Sequence, residues 1–374
     1  MSNKMKIMLA GGGGIGDLIF YLPLAKALKL KYPNCKIDLL IRSNEATSKM
    51  LSQITKYTTQ TYIDSIYYYN SHELIHNIYL LYRLINTKYT YGILLAYAGQ
   101  ARQIWPYKIF KLIKCKIIGL RENLTKNMNV DFPISLADVY STEKLECLSN
   151  IDAYFSCASY FDIYEKESKN TYFENLFNIN AISKDYPLKR FNIKGNYIVL
   201  CIGANPVSRK IGSKVISNDI KSWNIGNWIE LSNLIIKQGI EVVLLGGRQE
   251  LTKMEEFKID LDPRIHNLVG NTDIMESLSI IRKSFFTLGC DTGLMHCASA
   301  LDVRTMILLG ATSEKQAKCY GEKSYSISKH LCCSPCFGTG RDVLCNNKKC
   351  MKDISVNEVF LKLCEVIKEN KEQI

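Results

Sequence analysis

The stretch Leu288-Gly289-Cys290-Asp291-Thr292-Gly293-Leu294-Met295-His296 marks a point where a strand turns into a helix. The apolar run 285–288 in front of it is typical of a buried β-strand, and the small residues 297–300 behind it favour a helix. A strand that leads directly into a helix is the unit from which parallel α/β sheets are built. The stretch therefore predicts an α/β fold.

The turn inside this stretch is a candidate anion site. The first free N–H groups of the helix, around Gly293 and Leu294, point out of the carboxyl edge of the sheet, where a phosphate can approach the glycine backbone. Asp291 and Thr292 lie on the turn, and His296 follows Thr292 by four residues on the same helix face. The simpler alternative is that Asp291 and Thr292 only cap the helix and His296 packs in the core.

Length and charge limit the classes of protein that remain. The chain has 374 residues, 47% hydrophobic and 22% charged, which suits a soluble protein with two domains. Its net charge of +12 suits an anionic partner such as a nucleotide or an acidic membrane, although a composition rich in Lys, Asn, Ile and Tyr gives the same excess without one. No nucleic-acid partner is expected.

The start of the chain and its cysteines indicate the compartment. Residues 1–5 lead directly into a strand without a signal peptide, and no apolar run approaches the length of a membrane span. Most of the 14 cysteines are scattered through apolar segments, as reduced core residues are. We expect a cytoplasmic protein, with a peripheral position on the inner membrane face left open.

The first glycine loop supplies a candidate catalytic carboxylate. A strand over 4–10 is followed by Gly11-Gly12-Gly13-Gly14-Ile15-Gly16-Asp17 and a helix over 18–31. These glycines formally satisfy G-x-G-x-x-G, so an NAD-dependent enzyme is an alternative, but the second strand ends in Arg42-Ser43-Asn44 and lacks the expected acidic residue. Asp17 lies at the mouth of the turn, where the helix dipole keeps it ionised; its alternative role is a helix-terminal charge.

Strands and helices then alternate, as in a parallel α/β domain. Strands are predicted over 62–69, 91–98 and 116–120, and helices over 71–86 and 100–114. In the last of these helices lysines alternate with aromatic residues over 103–114, which favours a solvated basic face and leaves contact with an anionic membrane open. The polar segment 162–195 is typical of an interdomain connection.

A second α/β unit follows this connection. A strand over 197–202 ends at Gly203, a long basic loop carries Arg209, Lys210, Lys214 and Lys221, and a helix covers 226–238. A strand over 240–245 is closed by Gly246-Gly247-Arg248-Gln249-Glu250, and a helix over 273–283 has Thr272 as its expected N-cap. The predicted domains are 1–180, 181–350 and a terminal helical segment 351–374.

Five motifs in order resemble glycosyltransferase family 9, the heptosyltransferase family. The motifs are Gly16-Asp17 with Pro23, Lys221-Ser222-Trp223 with Trp228 and Leu231, Gly246-Gly247-x-x-Glu250, Asp291-Thr292-Gly293-x-x-His296, and Leu308-Leu309-Gly310-Ala311-Thr312. The resemblance implies the GT-B fold, in which two Rossmann-like domains face each other across a cleft. It also implies that the segment 351–374 packs back towards the first domain.

The resemblance further implies roles for single residues. Asp17 would be the catalytic base and Lys221 would contact the donor diphosphate. The implied donor-binding set is Gly16, Gly203, Gly246, Gly247, Glu250, Asp291, Thr292, Gly293 and His296, with Glu250 on the nucleoside ribose. Because the loop between Gly203 and Lys221 is extended, Arg209, Lys210 or Lys214 could share or take over the role of Lys221.

These residues suit an inverting, metal-independent transfer of a heptose-type sugar. A lysine and helix N–H groups can stabilise the departing diphosphate, and a carboxylate can accept the proton of the acceptor hydroxyl. The expected donor is ADP-heptose, and the expected acceptor is a glycan or lipopolysaccharide core, with a protein acceptor left open. A nucleotide-sugar epimerase and a non-catalytic nucleotide-sugar binder are the alternatives.

The tail of the chain carries a cysteine cluster. Cys333, Cys336, Cys345 and Cys350 supply enough thiolates for a tetrahedral zinc or iron site, in a stretch too rich in Gly and Asn to have its own core. Reduced thiols or a disulfide are the alternatives. No cofactor is expected for catalysis.

Overall fold

The computed structural model describes residues 4–70, 72–95, 103–124, 127–141, 148–164, 172–182, 184–211, 214–256 and 261–371. The chain divides into two compact units, Met1–Asn178 and Ile179–Ile374. The last helical segment lies inside the second unit and does not form a unit of its own.

The first unit is built on a parallel sheet that, within the described residues, has six strands in the order β3-β2-β1-β4-β5-β6. The strands are β1 Lys6–Gly11, β2 Lys36–Arg42, β3 Ser65–Tyr69, β4 Tyr91–Leu94, β5 Lys116–Leu120 and β6 Phe132–Ile134. The chain moves from β1 outward to β3 and then returns to β4 on the other side of β1. In open sheets of this kind, ligands bind where the strand order reverses, which is next to the carboxyl end of β1.

Helices cover this sheet on both faces. They are α1 Ile15–Lys31, α2 Glu45–Thr55, α3 Leu74–Thr87, α4 Ile104–Leu112, α5 Leu136–Val139 and α6 Asn150–Phe155. The central helix α1 buries most of its side chains, from Leu18 to Leu28, which explains why it is apolar on nearly all sides. One core cluster joins α3 and α4 to the sheet through Leu80, Leu84 and Phe110.

The second unit repeats the plan. Its sheet has the order β11-β10-β7-β12-β13-β14 in the described residues, and every neighbouring pair is parallel. The strands are β7 Tyr197–Cys201, β8 Val207–Ile211, β9 Lys214–Asn218, β10 Glu241–Leu245, β11 Ile265–Asn267, β12 Phe286–Cys290, β13 Thr305–Leu309 and β14 Ser324–Ser328. Strands β8 and β9 stand outside this sheet as an antiparallel pair.

The helices of the second unit complete its core. They are α7 Ile179–Ile182, α8 Tyr186–Arg190, α9 Ile225–Ile236, α10 Arg248–Glu256, α11 Ile274–Lys283, α12 Gly293–Ala300, α13 Glu314–Ala317, α14 Lys349–Lys352 and α15 Val356–Lys371. Val359, Leu363 and Val366 of α15 are buried in the same cluster as Trp228 of α9. The final helix is therefore a structural part of the second unit, and its expected return to the first domain stays a prediction.

Several predicted boundaries change. The segment expected to be a basic loop after Gly203 is a hairpin, in which β8 and β9 pair antiparallel from Val207 opposite Asn218 to Ile211 opposite Lys214. The N-cap of α11 is Asp273, which forms a capping box with Glu276, and not Thr272. Helix α2 was not predicted from the sequence.

No described helix is both long enough and apolar enough to cross a membrane. The thiols that the structure describes, including Cys35, Cys115, Cys157, Cys201 and Cys290, are unpaired. Burial raises the pKa of the Cys201 and Cys290 thiols, in keeping with inert core residues.

Candidate functional site

Residues from four neighbouring strands meet at the carboxyl edge of the second sheet. Gly203 follows β7, Gly246 follows β10, Asp291 follows β12 and Thr312 lies just beyond β13. The carboxyl ends of parallel strands share one edge of a sheet, so residues up to about 100 positions apart are brought together there. This edge holds the predicted donor residues of the second unit.

Asp291 is the centre of the site. Its Oδ2 accepts hydrogen bonds from Lys221 Nζ and from Thr312 Oγ1, both at 3.0 Å. His296 Nε2 lies 3.6 Å from the other carboxylate oxygen, Oδ1. One carboxylate therefore orients two cationic side chains and a hydroxyl at the first turn of α12.

The electrostatics of this cluster keep its groups charged. Burial by itself raises the pKa of Asp291, but the Lys221 ammonium and the His296 imidazole outweigh it and hold that pKa well below its usual range. Burial by itself lowers the pKa of His296, but Asp291 and Cys319 outweigh it and raise the pKa to about 9. This direction favours the imidazolium form of His296, which would place a second positive charge beside Lys221 and the one carboxylate.

Lys221 is held in place from three sides. Its neighbour Ile220 is buried, and Trp223 is anchored by its backbone N–H, which donates to Cys290 Sγ at 3.2 Å. The indole N–H of Trp223 donates to the carbonyl oxygen of Ile354 at 2.9 Å. The Lys221 ammonium also lies 4.7 Å from the ring centroid of Phe337, a cation–π contact.

The start of α12 supplies backbone donors beside these cations. Thr292 is the N-cap, with extended backbone, and Gly293 is the first helical residue. The Thr292 side chain makes no capping hydrogen bond within this described helix, so it does not occupy the N–H groups of Gly293 and Leu294, which an anion at the helix N-terminus would meet. His296 is 5% exposed and sits one turn further along.

Glu250 lies against two glycines at the same sheet edge. Its Oε2 accepts the backbone N–H of Gly247 at 2.9 Å, and the side chain is 7% exposed. A Cβ atom at Gly203 would collide with the Glu250 carboxyl, so any larger residue there would displace that side chain. Gly203, Gly246 and Gly247 therefore leave space for the Glu250 side chain, and their lack of side chains also leaves the backbone accessible.

Asp17 and Gly16 belong to the first unit, whereas the donor-binding residues described above belong to the second. Asp17 is the third residue of α1, and its Oδ2 accepts the backbone N–H of Gly14 at 3.0 Å as part of a capping box. A Cβ atom at Gly12 would collide with the Asp17 carboxylate, which explains that glycine. The structure thus shows Asp17 as a helix-capping residue, and its catalytic role stays a prediction.

Among the described side chains, the lysine that contacts Asp291 is Lys221, and a role for the hairpin cations stays a prediction. Lys214 is exposed on β9, while Lys221 contacts Asp291 directly. For Arg209 and Lys210 the structure describes the backbone of β8 alone.

Sequence reasoning missed Phe337 and Cys319. Phe337 lies 116 positions after Lys221 and carries no motif of its own; its only signal is that it follows Cys336 in the cysteine cluster. Cys319 lies close enough to His296 to raise its pKa, and its Sγ donates to the Met295 carbonyl oxygen at 3.4 Å. Neither contact can be inferred from spacing.

The four tail cysteines share one neighbourhood. Burial, followed by the thiols of Cys336, Cys333 and Cys345, raises the pKa of Cys350 to about 11. The Cys345 Sγ accepts the backbone N–H of Lys348 at 3.4 Å. Within the described residues, however, no three His, Cys, Asp or Glu side chains are arranged closely enough to hold a metal ion.

The segment 332–350, here called the cysteine segment, contacts residues next to the candidate donor site. The backbone N–H groups of Cys336 and Phe337 donate to the Ala311 carbonyl oxygen at 2.9 and 2.8 Å. Ile220, Ala311 and Cys336 form one small buried cluster. Ile220 and Ala311, which precede Lys221 and Thr312 in the chain, therefore pack against the cysteine segment.

Comparison with known proteins relates this arrangement to one family. Residues 152–346 match the model of glycosyltransferase family 9 (heptosyltransferase). The chain is 22% identical over 327 residues to lipooligosaccharide heptosyltransferase 2 of Haemophilus influenzae. The aligned region covers 86% of this chain and 88% of the relative.

Solved structures share the fold over nearly the whole chain. The E. coli ADP-heptose lps heptosyltransferase II has a TM-score of 0.66 at 19% identity, covering 98% of this chain and 100% of the other. The iron-containing dodecameric glycosyltransferase TibC of enterotoxigenic E. coli has a TM-score of 0.56 at 11% identity, covering 98% and 78%. The predicted α/β class with two Rossmann-like domains of the GT-B type is confirmed.

Proposed function

Because the chain belongs to glycosyltransferase family 9 and is a glycosyltransferase, we propose that it moves a heptose from ADP-heptose to a lipopolysaccharide-core hydroxyl. The names of its relatives support this donor and this acceptor. A lipid-linked acceptor would also bring the chain to a membrane face. A protein acceptor is a second candidate for the same transfer.

The observation that carries the proposal is the pair of cations on Asp291. Lys221 and the His296 imidazolium stand at the N-terminal turn of α12, where two linked phosphates would meet both charges and free N–H groups. As the bond between the anomeric carbon and the β-phosphate oxygen breaks, negative charge grows on that oxygen. The cations stabilise it, so the chemistry needs no metal ion at the diphosphate.

The acceptor side needs a base. The acceptor oxygen attacks the anomeric carbon as the diphosphate leaves, and its proton passes to a carboxylate, for which we propose Asp17 in the first unit. Attack from the side opposite the leaving group inverts the anomeric centre. The resemblance of the Gly16-Asp17 motif to the family supports this assignment.

A panel of nucleoside-diphosphate sugars tests the function. We expect ADP-heptose to raise the melting temperature more than UDP- or GDP-sugars, and ADP release to depend on added lipopolysaccharide-core acceptor, with an inverted product. Product that forms from the donor alone would instead identify an epimerase. Tight binding without turnover on any glycan or protein acceptor would identify a binding protein.

We further propose that Cys333, Cys336, Cys345 and Cys350 hold a structural zinc or iron ion. Thiolates are ligands that zinc and iron prefer, and metal binding would deprotonate the four thiols and draw them closer together than they lie in the described residues. That a relative of the same fold is iron-containing supports the proposal. The ion would brace the segment that supports Ala311 and Phe337 and would take no part in the transfer.

Metal analysis of protein purified without chelator tests this site. We expect about one equivalent of zinc or iron per chain, because a closed four-thiolate site seldom loses its ion. Cys345→Ser should reduce the metal content and the melting temperature, while Cys364→Ser on α15, outside the cluster, should change neither. Less than about half an equivalent in the unaltered protein would end the metal proposal.

A further inference from the structure

Exposed apolar side chains concentrate on two helices of the first unit. Nine of the sixteen large apolar side chains that the described residues expose lie on α3 and α4. They are Leu74, Ile75, Ile78, Tyr79, Tyr82 and Ile85 on α3, and Ile104, Trp105 and Leu112 on α4. Ile75 is 86% exposed and Trp105 is 62% exposed, so these are not partly covered core residues.

The two helices lie on the same face of the first sheet. Leu80 and Leu84 of α3 belong to one core cluster with Phe110 of α4 and with Ile113, which directly follows α4. Each helix thus already buries an inner side against the sheet. The exposed apolar residues are on the outer sides, and we call this outer surface of α3 and α4 the two-helix surface.

Such a surface is unusual for a helix that faces only water. A helix that is apolar on nearly all sides is normally buried, and a large exposed apolar patch marks a place of interaction. The central helix α1 follows this rule, since the first sheet and its neighbours cover it. The α3 helix has the same apolar character, but one of its sides is left uncovered.

The charge of this region identifies the partner. No Asp or Glu occurs from Leu74 through Arg121, although the whole chain has 36 acidic residues. Exposed cations lie on or next to both helices, namely Arg83, Lys88, Lys108, Lys111 and Lys114. Lys108 lies 6.0 Å from the ring centroid of Trp105, so a cation and an apolar ring occupy the same part of the surface.

We propose that the two-helix surface lies on an anionic lipid bilayer. Apolar side chains would enter the boundary of the acyl chains, and the lysines and Arg83 would meet the headgroup phosphates. A second copy of the chain is a poorer occupant, since a twofold contact would set the cations of these helices against one another, and neither helix carries an Asp or Glu of its own. This proposal names a membrane-binding surface that the proposed function does not include. It rests on the proposed function only in that a lipid-linked acceptor would explain why the chain binds a membrane.

Vesicle flotation of the full chain tests the surface without donor or acceptor. We expect the protein to float with vesicles of phosphatidylcholine and phosphatidylglycerol, to float poorly with phosphatidylcholine alone, and to be released by salt. The double variant Ile75→Glu with Ile78→Glu should lower the bound fraction at least about tenfold, and so should Lys108→Glu with Lys111→Glu.

The matched control is Leu361→Glu on α15 of the second unit. Leu361 is 57% exposed, close to the 60% of Ile78, and its substitution should leave vesicle binding unchanged. Stabilisation by nucleoside diphosphate in every variant shows that the chain has folded. Transfer to a detergent-dispersed acceptor should survive in the surface variants, so a failure of transfer and a failure of vesicle binding are told apart.

Three results would overturn the proposal. The first is equal binding to neutral and anionic vesicles. The second is full vesicle binding by both double variants. The third is a change from oligomer to monomer in the Ile75→Glu and Ile78→Glu variant with vesicle binding intact, which would assign the surface to a second copy of the chain.

Discussion

Asp17→Asn is expected to lower kcat by about 10²- to 10⁴-fold while nucleoside diphosphate affinity stays nearly unchanged. The amide keeps an oxygen that can accept the N–H of Gly14, which Asp17 Oδ2 accepts at 3.0 Å. The substitution therefore removes the proton acceptor and retains most of the helix cap. Steady-state transfer kinetics and calorimetry on one preparation measure both quantities.

Two further variants separate catalysis from capping. Asp17→Ala also loses the cap and should cost roughly 0.5 to 2 kcal/mol of stability in addition to the rate. Asp152 has the same local role as Asp17, because its Oδ2 accepts the N–H of Ser149 at 2.9 Å in the capping box of α6. Asp152→Asn should therefore also retain most of its cap, and it should leave kcat unchanged.

A comparison of Asp17→Asn with Asp152→Asn can exclude Asp17 as the catalytic base. If Asp17→Asn melts earlier but transfers sugar at a near-normal rate, Asp17 behaves as Asp152 does and is only a capping residue. The base would then have to be sought elsewhere on the acceptor side. The assignment of the donor residues would be unaffected.

Lys221→Ala is expected to weaken nucleoside diphosphate binding by roughly 1.5 to 3 kcal/mol, the range for a hydrogen bond to a charged group. This corresponds to a fall in affinity of about 10- to 150-fold. The loss has two parts: the ammonium is gone, and Asp291 keeps its negative charge without the lysine that pairs with it. Isothermal titration with ADP measures the effect.

Two lysine controls and one conservative change locate the role. Lys237 is exposed at the end of α9 and Lys214 is exposed on β9, and alanine at either position should leave ADP affinity within about twofold, as for an ordinary surface change. Lys221→Arg keeps the charge and should retain part of the affinity. Normal binding by Lys221→Ala together with a loss in Lys214→Ala would move the diphosphate contact to the hairpin.

The sequence by itself determined the plan of the chain and the identity of most candidate residues. Apolar strands followed by glycine turns and helices predict parallel sheets, because side-chain period and turn chemistry are local properties. The turn at Asp291, the glycines around Glu250 and the lysine at position 221 could be singled out by their motifs. In the structure Asp291, Lys221 and His296 form one contact cluster.

Other features needed the tertiary structure, because they depend on residues far apart in the chain. The ring of Phe337 against Lys221 joins residues from two loops, and the pKa of His296 depends on Cys319, which has no recognisable pattern. Local periodicity identified α3 as a helix, yet it could not show which of its two apolar sides the sheet would cover. Burial is a property of the packed unit, and for that reason the exposed side of α3 was visible only after the chain had folded.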